Sequence, residues 1–177
     1  MFIAYKLGAT LYNIYHNLAN ALSVAFPDHK WIHCLFNKCP KGAWNNPKHL
    51  QDFFEFCAEK LNIKTPQDWY QVSKDQIVLL RGNELLFIAS KLGATLYKNY
   101  HNLPNALSIA FPDYKWIHCL FNKSPKGSWN NPKHLHDFFE FCAEKLNIKN
   151  QEDWYKITKS QILSLGGIHG VFMDVIN

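Results

Sequence analysis

The strongest constraint on this chain is that it is written twice. Lys6-Leu-Gly-Ala-Thr-Leu-Tyr12 returns as Lys91-Leu-Gly-Ala-Thr-Leu-Tyr97, an offset of 85 residues. At that offset residues 6–70 and 91–155 are identical at 54 of 65 positions, whereas the next 17 pairs share only 6. A repeat of this fidelity outranks any local pattern, because each copy must be one unit of structure that its neighbours help to bury. Two of the differences carry chemistry: Cys39 becomes Ser124, and Ala19 becomes Pro104.

Each copy reads as helical. Asn46-Pro47 is a start signal, since Asn accepts free N–H groups and Pro fits the first helical position. After it Leu50, Phe53, Phe54, Cys57, Ala58 and Leu61 recur at three- and four-residue steps, which predicts one apolar stripe with Gln51, Asp52, Glu55 and Glu59 opposite. Asn131-Pro132 and Leu135 through Leu146 repeat the pattern. Phe56 and Phe141 fall on the flank of the stripe. Thr65-Pro66 opens a turn carrying Asp68-Trp69-Tyr70. Ser73 with Gln76, and Thr158 with Gln161, have the spacing of a capping box. Gly82 and Gly166 read as stops. Leu18 to Phe26 and Leu103 to Phe111 read as short helices ended by Pro27 and Pro112. Asp28 and Asp113 are expected to cap a further helix in which Trp31, Ile32, Leu35 and Phe36 face inward. No segment alternates with period two. The expected fold is all-α: two near-identical helical modules in tandem, each of roughly five short helices.

The strongest start signals, Thr65-Pro66 and Asn150, place the natural unit out of phase with residue 1. On that phasing residues 1–64 are the C-terminal part of a first module, 65–149 a complete module, and 150–177 the N-terminal part of another with a divergent end. Interlocking, domain swapping or self-association would then complete the unfinished modules.

Composition bounds the rest. The chain is 47% apolar and 19% charged, so it can bury a core and is no disordered tail. No apolar run is long enough to span a membrane, and no cleavable signal is visible at the start. Five cysteines, an odd number at low density, point to free thiols in a reducing compartment. The expected location is intracellular, in nucleus or cytoplasm. The net charge of +5 spreads evenly, +2 over residues 1–85 (9 basic, 7 acidic) and +3 over 86–177 (10 basic, 7 acidic).

Several words recur through the chain: Trp69-Tyr70-x-Val72-Ser73, Gly93-x-x-Leu96, Ala106-Leu107-x-x-x-Phe111-Pro112, Trp116-x-x-x-x-Phe121, and Pro125-x-Gly127-x-Trp129-x-x-Pro132 followed by Phe138-Phe139. Together they resemble a tandem repeat abundant in predicted proteins of arbuscular-mycorrhizal fungi. The resemblance covers essentially the whole chain and implies organisation rather than an activity. That repeat usually carries paired glycines before a Leu-Leu run. Here Gly166-Gly167 is followed by Ile-His-Gly-Val-Phe, and Arg81-Gly82 has a single glycine. Leu103-x-Asn105-Ala106-Leu107 is similar, over a few residues, to the helix-turn-helix repeats that accompany homing endonucleases.

Two surfaces are candidates for binding. The loop from Asn37 to His49 sets Lys38, Lys41 and Lys48 with Trp44 beside a helix N-terminus, where unpaired N–H groups and the dipole favour an anion. Its copy keeps Lys123, Lys126, Trp129 and Lys133. Six lysines would neutralise about six phosphates, a log–log salt slope near −5 on duplex DNA. Trp44 either stacks on a base or anchors the loop. The second candidate is the helix from Pro104 to Phe111, where Asn105 and Ser108 are expected to face outward, as side chains that reach base edges do.

Other chemistries find no footing. His33, Cys34, Cys39 and Cys57 lack a zinc spacing, and Ser124 replaces one of them in the second copy. Asp52 with Glu55, and Asp137 with Glu140, are paired carboxylates on the wet face of a helix. No nucleophile elbow, phosphate loop or zinc-protease word occurs. The sequence therefore predicts no catalysis, metal, cofactor or small-molecule substrate. It predicts a repeat that binds DNA through basic loops. The alternative is a protein-interaction or self-associating scaffold that uses aromatics (Trp44, Phe56, Tyr70 and their copies) as its contacts.

Overall fold

A computed structural model describes residues 9, 12–36, 39–80 and 98–165, and among these every regular element is helical and none is a strand. The all-α expectation holds. In chain order the α-helices are α1 (Leu18–Ala25), α2 (Pro47–Leu61), α3 (Lys74–Leu79), α4 (Leu103–Ala110), α5 (Pro132–Leu146), α6 (Gln151–Trp154) and α7 (Lys159–Ser164). Short 3-10 turns lie between them, of which Pro66–Gln71 is the longest among the described residues. None of these helices is long and apolar enough to cross a membrane.

The helix ends follow local chemistry. The Asn46 side chain accepts the Lys48 and His49 N–H groups at 2.9 and 3.4 Å and starts α2. Asn62, at φ 55°, stops it: the left-handed turn lets the Asn62 N–H reach the Ala58 and Glu59 carbonyls. Asn131 and Asn147 do the same for α5. Asn17 caps α1 and Asn102 caps α4, each at 2.9 Å. The two capping boxes form as the spacing predicts. The Gln76 side chain accepts the Ser73 N–H at 2.7 Å, and that of Gln161 accepts the Thr158 N–H at 2.8 Å. Asp68 accepts the Thr65 and Lys64 N–H groups at 2.8 and 2.9 Å, and these bonds hold its carboxyl below the usual range. Gly82 and Gly166 lie outside the described residues.

One local expectation fails. Asp28 and Asp113 cap no helix. The chain runs extended to Ile32 (φ −87°, ψ 99°), and only a 3-10 turn, His33–Leu35, follows, with no side-chain cap. The segment is tied down from its other side. The Trp31 indole N–H donates to the Phe26 carbonyl, and that of Trp116 to the Phe111 carbonyl, both at 3.3 Å. A loop anchored by an indole keeps its large rings inward without helical periodicity.

The core runs from one copy of the repeat into the other. Leu50, Phe53, Phe54 and Cys57 on α2 are buried, and α4 of the second copy packs across them, with Phe111 6.5 Å from Phe54. Tyr70 meets Trp116 and Phe121 edge-on at 6.1 and 4.8 Å. Three hydrogen bonds stitch the same seam. The Tyr70 hydroxyl accepts the Ile117 N–H, the Tyr70 carbonyl accepts the Asn122 N–H, and the Tyr100 hydroxyl donates to the Trp44 carbonyl. The trailing half of copy one thus carries the leading half of copy two.

Candidate functional site

The basic loop is less free than its sequence suggests. Lys38 lies outside the described residues. Lys41 is exposed on the turn that Gly42 makes at φ +80°, and Lys126 repeats it before Gly127 at +82°. Lys48 is exposed but pairs with Asp52 at 3.0 Å, and Lys30 reaches the same carboxylate at 3.3 Å and Glu55 at 2.6 Å. In the second copy Lys115 takes Asp137 at 3.1 Å and Glu140 at 2.6 Å. The hydrogen bond to Glu55 raises the Lys30 ammonium above its usual range, and the one to Glu140 does the same for Lys115. Lys123 lies 3.7 Å from Asp75 of the first copy. Lys133 is exposed, and its backbone N–H is held by Asn131 at 3.0 Å. The helix N-termini therefore already have an acceptor in their capping asparagines, and acidic side chains interrupt the rim.

The aromatic and polar readers are also engaged. Trp44 is buried edge-on to Phe53 at 5.1 Å, so of its two expected roles it fills the anchoring one. Trp129 is half-buried, 5.1 Å from Phe138. Asn105 and Ser108 do not stand outward. Both are half-buried, Asn105 donating to the Tyr100 carbonyl at 3.0 Å and Ser108 to the Pro104 carbonyl at 2.9 Å. Short polar side chains on a short helix find backbone acceptors one turn back before they find solvent.

Each copy also stacks two imidazoles: His33 on His49 and His118 on His134, with ring centroids 4.1 Å apart. Burial, reinforced by the neighbouring ring, lowers His33 and pushes His118 down to about 4. Cys119 donates weakly to the His134 carbonyl at 3.8 Å, and burial pushes its thiol up to about 11. All five cysteines are free thiols, four of them buried. His136, Asp137 and Glu140 bring one ligand atom each within 4.8 Å of one another, but Lys115 already neutralises both carboxylates and His136 and Glu140 are exposed. The group fits an ion-pair network better than a cation.

What the sequence reading missed is the burial of matching residues. Tyr70 is 7% exposed and Tyr155, its counterpart, 83%. Leu50 and Phe54 are both 0% exposed, while Leu135 and Phe139 are half-buried. The leading halves show the opposite order: Leu103 is 6% exposed and Leu18 48%. Ala110 is buried and Ala25 exposed. Phe26 is open at 57%. The expected contact aromatics are thus reassigned. Trp44 and Tyr70 are buried and Phe56 half-buried under the Lys60 ammonium, while Tyr12, Phe26 and Tyr155 stand in solvent. Identical local sequence gave no local signal for this; only the duplication, by implying two unmatched ends, could have. A shallow groove on the open trailing face is walled by Pro132, Leu135, Phe139, Ala143 and Trp154.

Compared with family models, curated proteins and solved structures, the chain matches none.

Proposed function

We propose that the chain is a non-enzymatic tandem-repeat binding protein, two copies of one helical module stacked side by side, whose working surfaces are its two end faces. Each end face takes a protein partner. The observation that carries this reading is the pair Tyr70 and Tyr155: one side chain in one local sequence, 7% exposed where a neighbour covers it and 83% where none does. Large apolar side chains open at both ends, Leu18 and Phe26 at one and Tyr155 at the other, have the character of interface cores, which are rich in aromatics and poor in charge. Footprinting of exposed tyrosine and phenylalanine rings in the full chain, alone and in cell extract, tests it. Protection of both Phe26 and Tyr155 in extract is the expected result, and neither changing overturns the reading.

A second reading, nucleic-acid binding, is favoured by one observation. Lys123 and Lys126 line a single groove with His101, Asn102 and Ser124 at the seam between the copies. It ranks second because Lys48, Lys30 and Lys115 are neutralised by carboxylates and Trp44 is buried. Titration with duplex and single-stranded DNA and RNA at two salt concentrations decides it. Binding that falls steeply with salt and weakens in Lys41→Glu/Lys126→Glu supports it; absence of binding at low salt removes it.

A further inference from the structure

We propose that the partner of each end face is a second copy of this chain, docked head to tail. The leading face of one chain, α1 with Leu18, Ala25 and Phe26, would seat on the trailing face of the next, α5 and α6 with Leu135, Phe139, Trp154 and Tyr155. The inference rests on the reading that the end faces bind protein, and it names what they bind.

The template is inside the molecule. The seam between the two copies already packs such a leading face on such a trailing face, α4 on α2, with Tyr70 against Trp116 and Phe121. At the outer ends the contact residues are the same. Leu18, Leu22, Ala25, Phe26, Trp31 and Phe36 match Leu103, Leu107, Ala110, Phe111, Trp116 and Phe121. Leu135, Phe139, Ala143, Trp154 and Tyr155 match Leu50, Phe54, Ala58, Trp69 and Tyr70. The bonding groups of the seam recur as well: Tyr15 stands where Tyr100 donates, and Ile32 where Ile117 donates to the tyrosine hydroxyl. The differences fall at the margin. Ser160 replaces Asp75, which costs the docked pair only an exposed ion-pair acceptor 3.7 Å from Lys123 in the seam. Ile109, the counterpart of Val24, stays 43% exposed even with its neighbour in place, so Val24 is outside the contact.

Such an interface is heterologous, because the two surfaces differ. Each docked chain leaves one head and one tail open, so association continues into a stack or closes only if the rotation happens to form a ring. A symmetric dimer would bury like against like and leave the complementary pair unused.

Two variants test this in the purified full-length chain. Ala25→Arg blocks the head and Tyr155→Arg blocks the tail; both positions are exposed, so circular dichroism should show both variants folded as the parent. The parent should show a weight-average mass in sedimentation that rises with concentration past that of two chains. Each variant alone should stay monomeric, because every contact needs one head and one tail. Mixed in equal amounts, they should form a one-to-one dimer and stop, doubling the mass. The inference is overturned by a parent that stays monomeric at every concentration, by a mixture that stays monomeric, or by assembly in which only one variant is impaired, the signature of a symmetric dimer. If the parent is monomeric while extract still protects Phe26 and Tyr155, the end-face reading stands and the partner is another protein. If extract protects neither, both fail.

Discussion

The Tyr70 hydroxyl accepts the Ile117 backbone N–H at 3.2 Å, across 47 residues of chain. The bond is buried, and the Tyr70 carbonyl is taken at the same seam by Asn122 at 2.7 Å. One residue therefore satisfies two backbone amides of the other copy while its ring fills the space between Trp116 and Phe121. Burial raises its hydroxyl well above the usual phenol range, so it stays a neutral hydroxyl at any pH the fold would meet.

Tyr70→Ala should therefore destabilise the chain by about 3–5 kcal/mol, through the lost ring and two disturbed amides. Tyr70→Phe should cost roughly 1–2 kcal/mol, the burden of one buried N–H without an acceptor. Tyr155→Ala should lie within about 0.5 kcal/mol of the parent. Urea denaturation at a concentration where the chain is monomeric measures all three. Equal costs for Tyr70→Ala and Tyr155→Ala would contradict the described seam.

Acid should weaken the fold through its stacked imidazoles. His118 titrates at about 4 in the folded chain, against a model value of 6.5 once unfolded. Between those values the unfolded chain binds the proton and the folded chain does not, so stability is present above pH 6.5 and falls as pH drops toward 4. His33 acts in the same direction. The expected loss for His118 is on the order of 1–2 kcal/mol once the ring's partial exposure is allowed for. Denaturant midpoints from pH 7.5 to 4.5 check the slope, and His118→Gln should flatten it. A midpoint independent of pH, or one rising on acidification, would refute the assignment.

Gly127→Ala isolates backbone strain from crowding. A methyl group there meets nothing within 4 Å, but φ is +82°. The expected cost is about 1–2 kcal/mol from the left-handed backbone alone, and Gly127→Asn should recover part of it. Thermal melts of the three proteins give the comparison. An Ala variant as stable as the parent would mean that the turn is free to relax.

The thiols should divide into one fast and four slow. Burial pushes Cys119 and Cys142 up to about 11, and Cys34 and Cys57 are buried as well. Cys39 is the half-buried one. Because the thiolate is the reactive form, a colourimetric disulfide reagent at mildly alkaline pH should label one equivalent quickly. The other four should appear at the rate of unfolding. Cys39→Ser should erase the fast phase alone, and five thiols reacting together would exclude the described core.

What the sequence made legible is what neighbours in the chain decide. Asn46 with Pro47, Ser73 with Gln76, and Thr65 with Asp68 each complete their bonds within a few residues, so reading them required no tertiary knowledge. Asp28 and Asp113 have an equally good capping side chain and cap nothing, because the Trp31 and Trp116 indoles tether their loops from a distance. Trp44 offered two roles of equal merit until Phe53 was placed beside it. Tyr70 and Tyr155 mark the limit: the same residue, flanked alike on its N-terminal side, is buried or bare according to a surface that lies dozens of residues away. The lysines misled for a related reason. Lys30 and Lys115 draw their carboxylates from 25 residues downstream, so the rim looked more cationic on paper than it is in the fold.

The seam carries a genetic consequence. Since one copy's trailing half already fits the next copy's leading half, an unequal crossover that inserted a third copy between the two would create a second seam and no new kind of end. Stability would grow by a nearly constant increment with each insertion while the cost of the two bare termini stayed the same. Lengthening of this gene is thus structurally permitted without a single compensating mutation, and the near-identity of the two copies is what such a permissive history leaves behind.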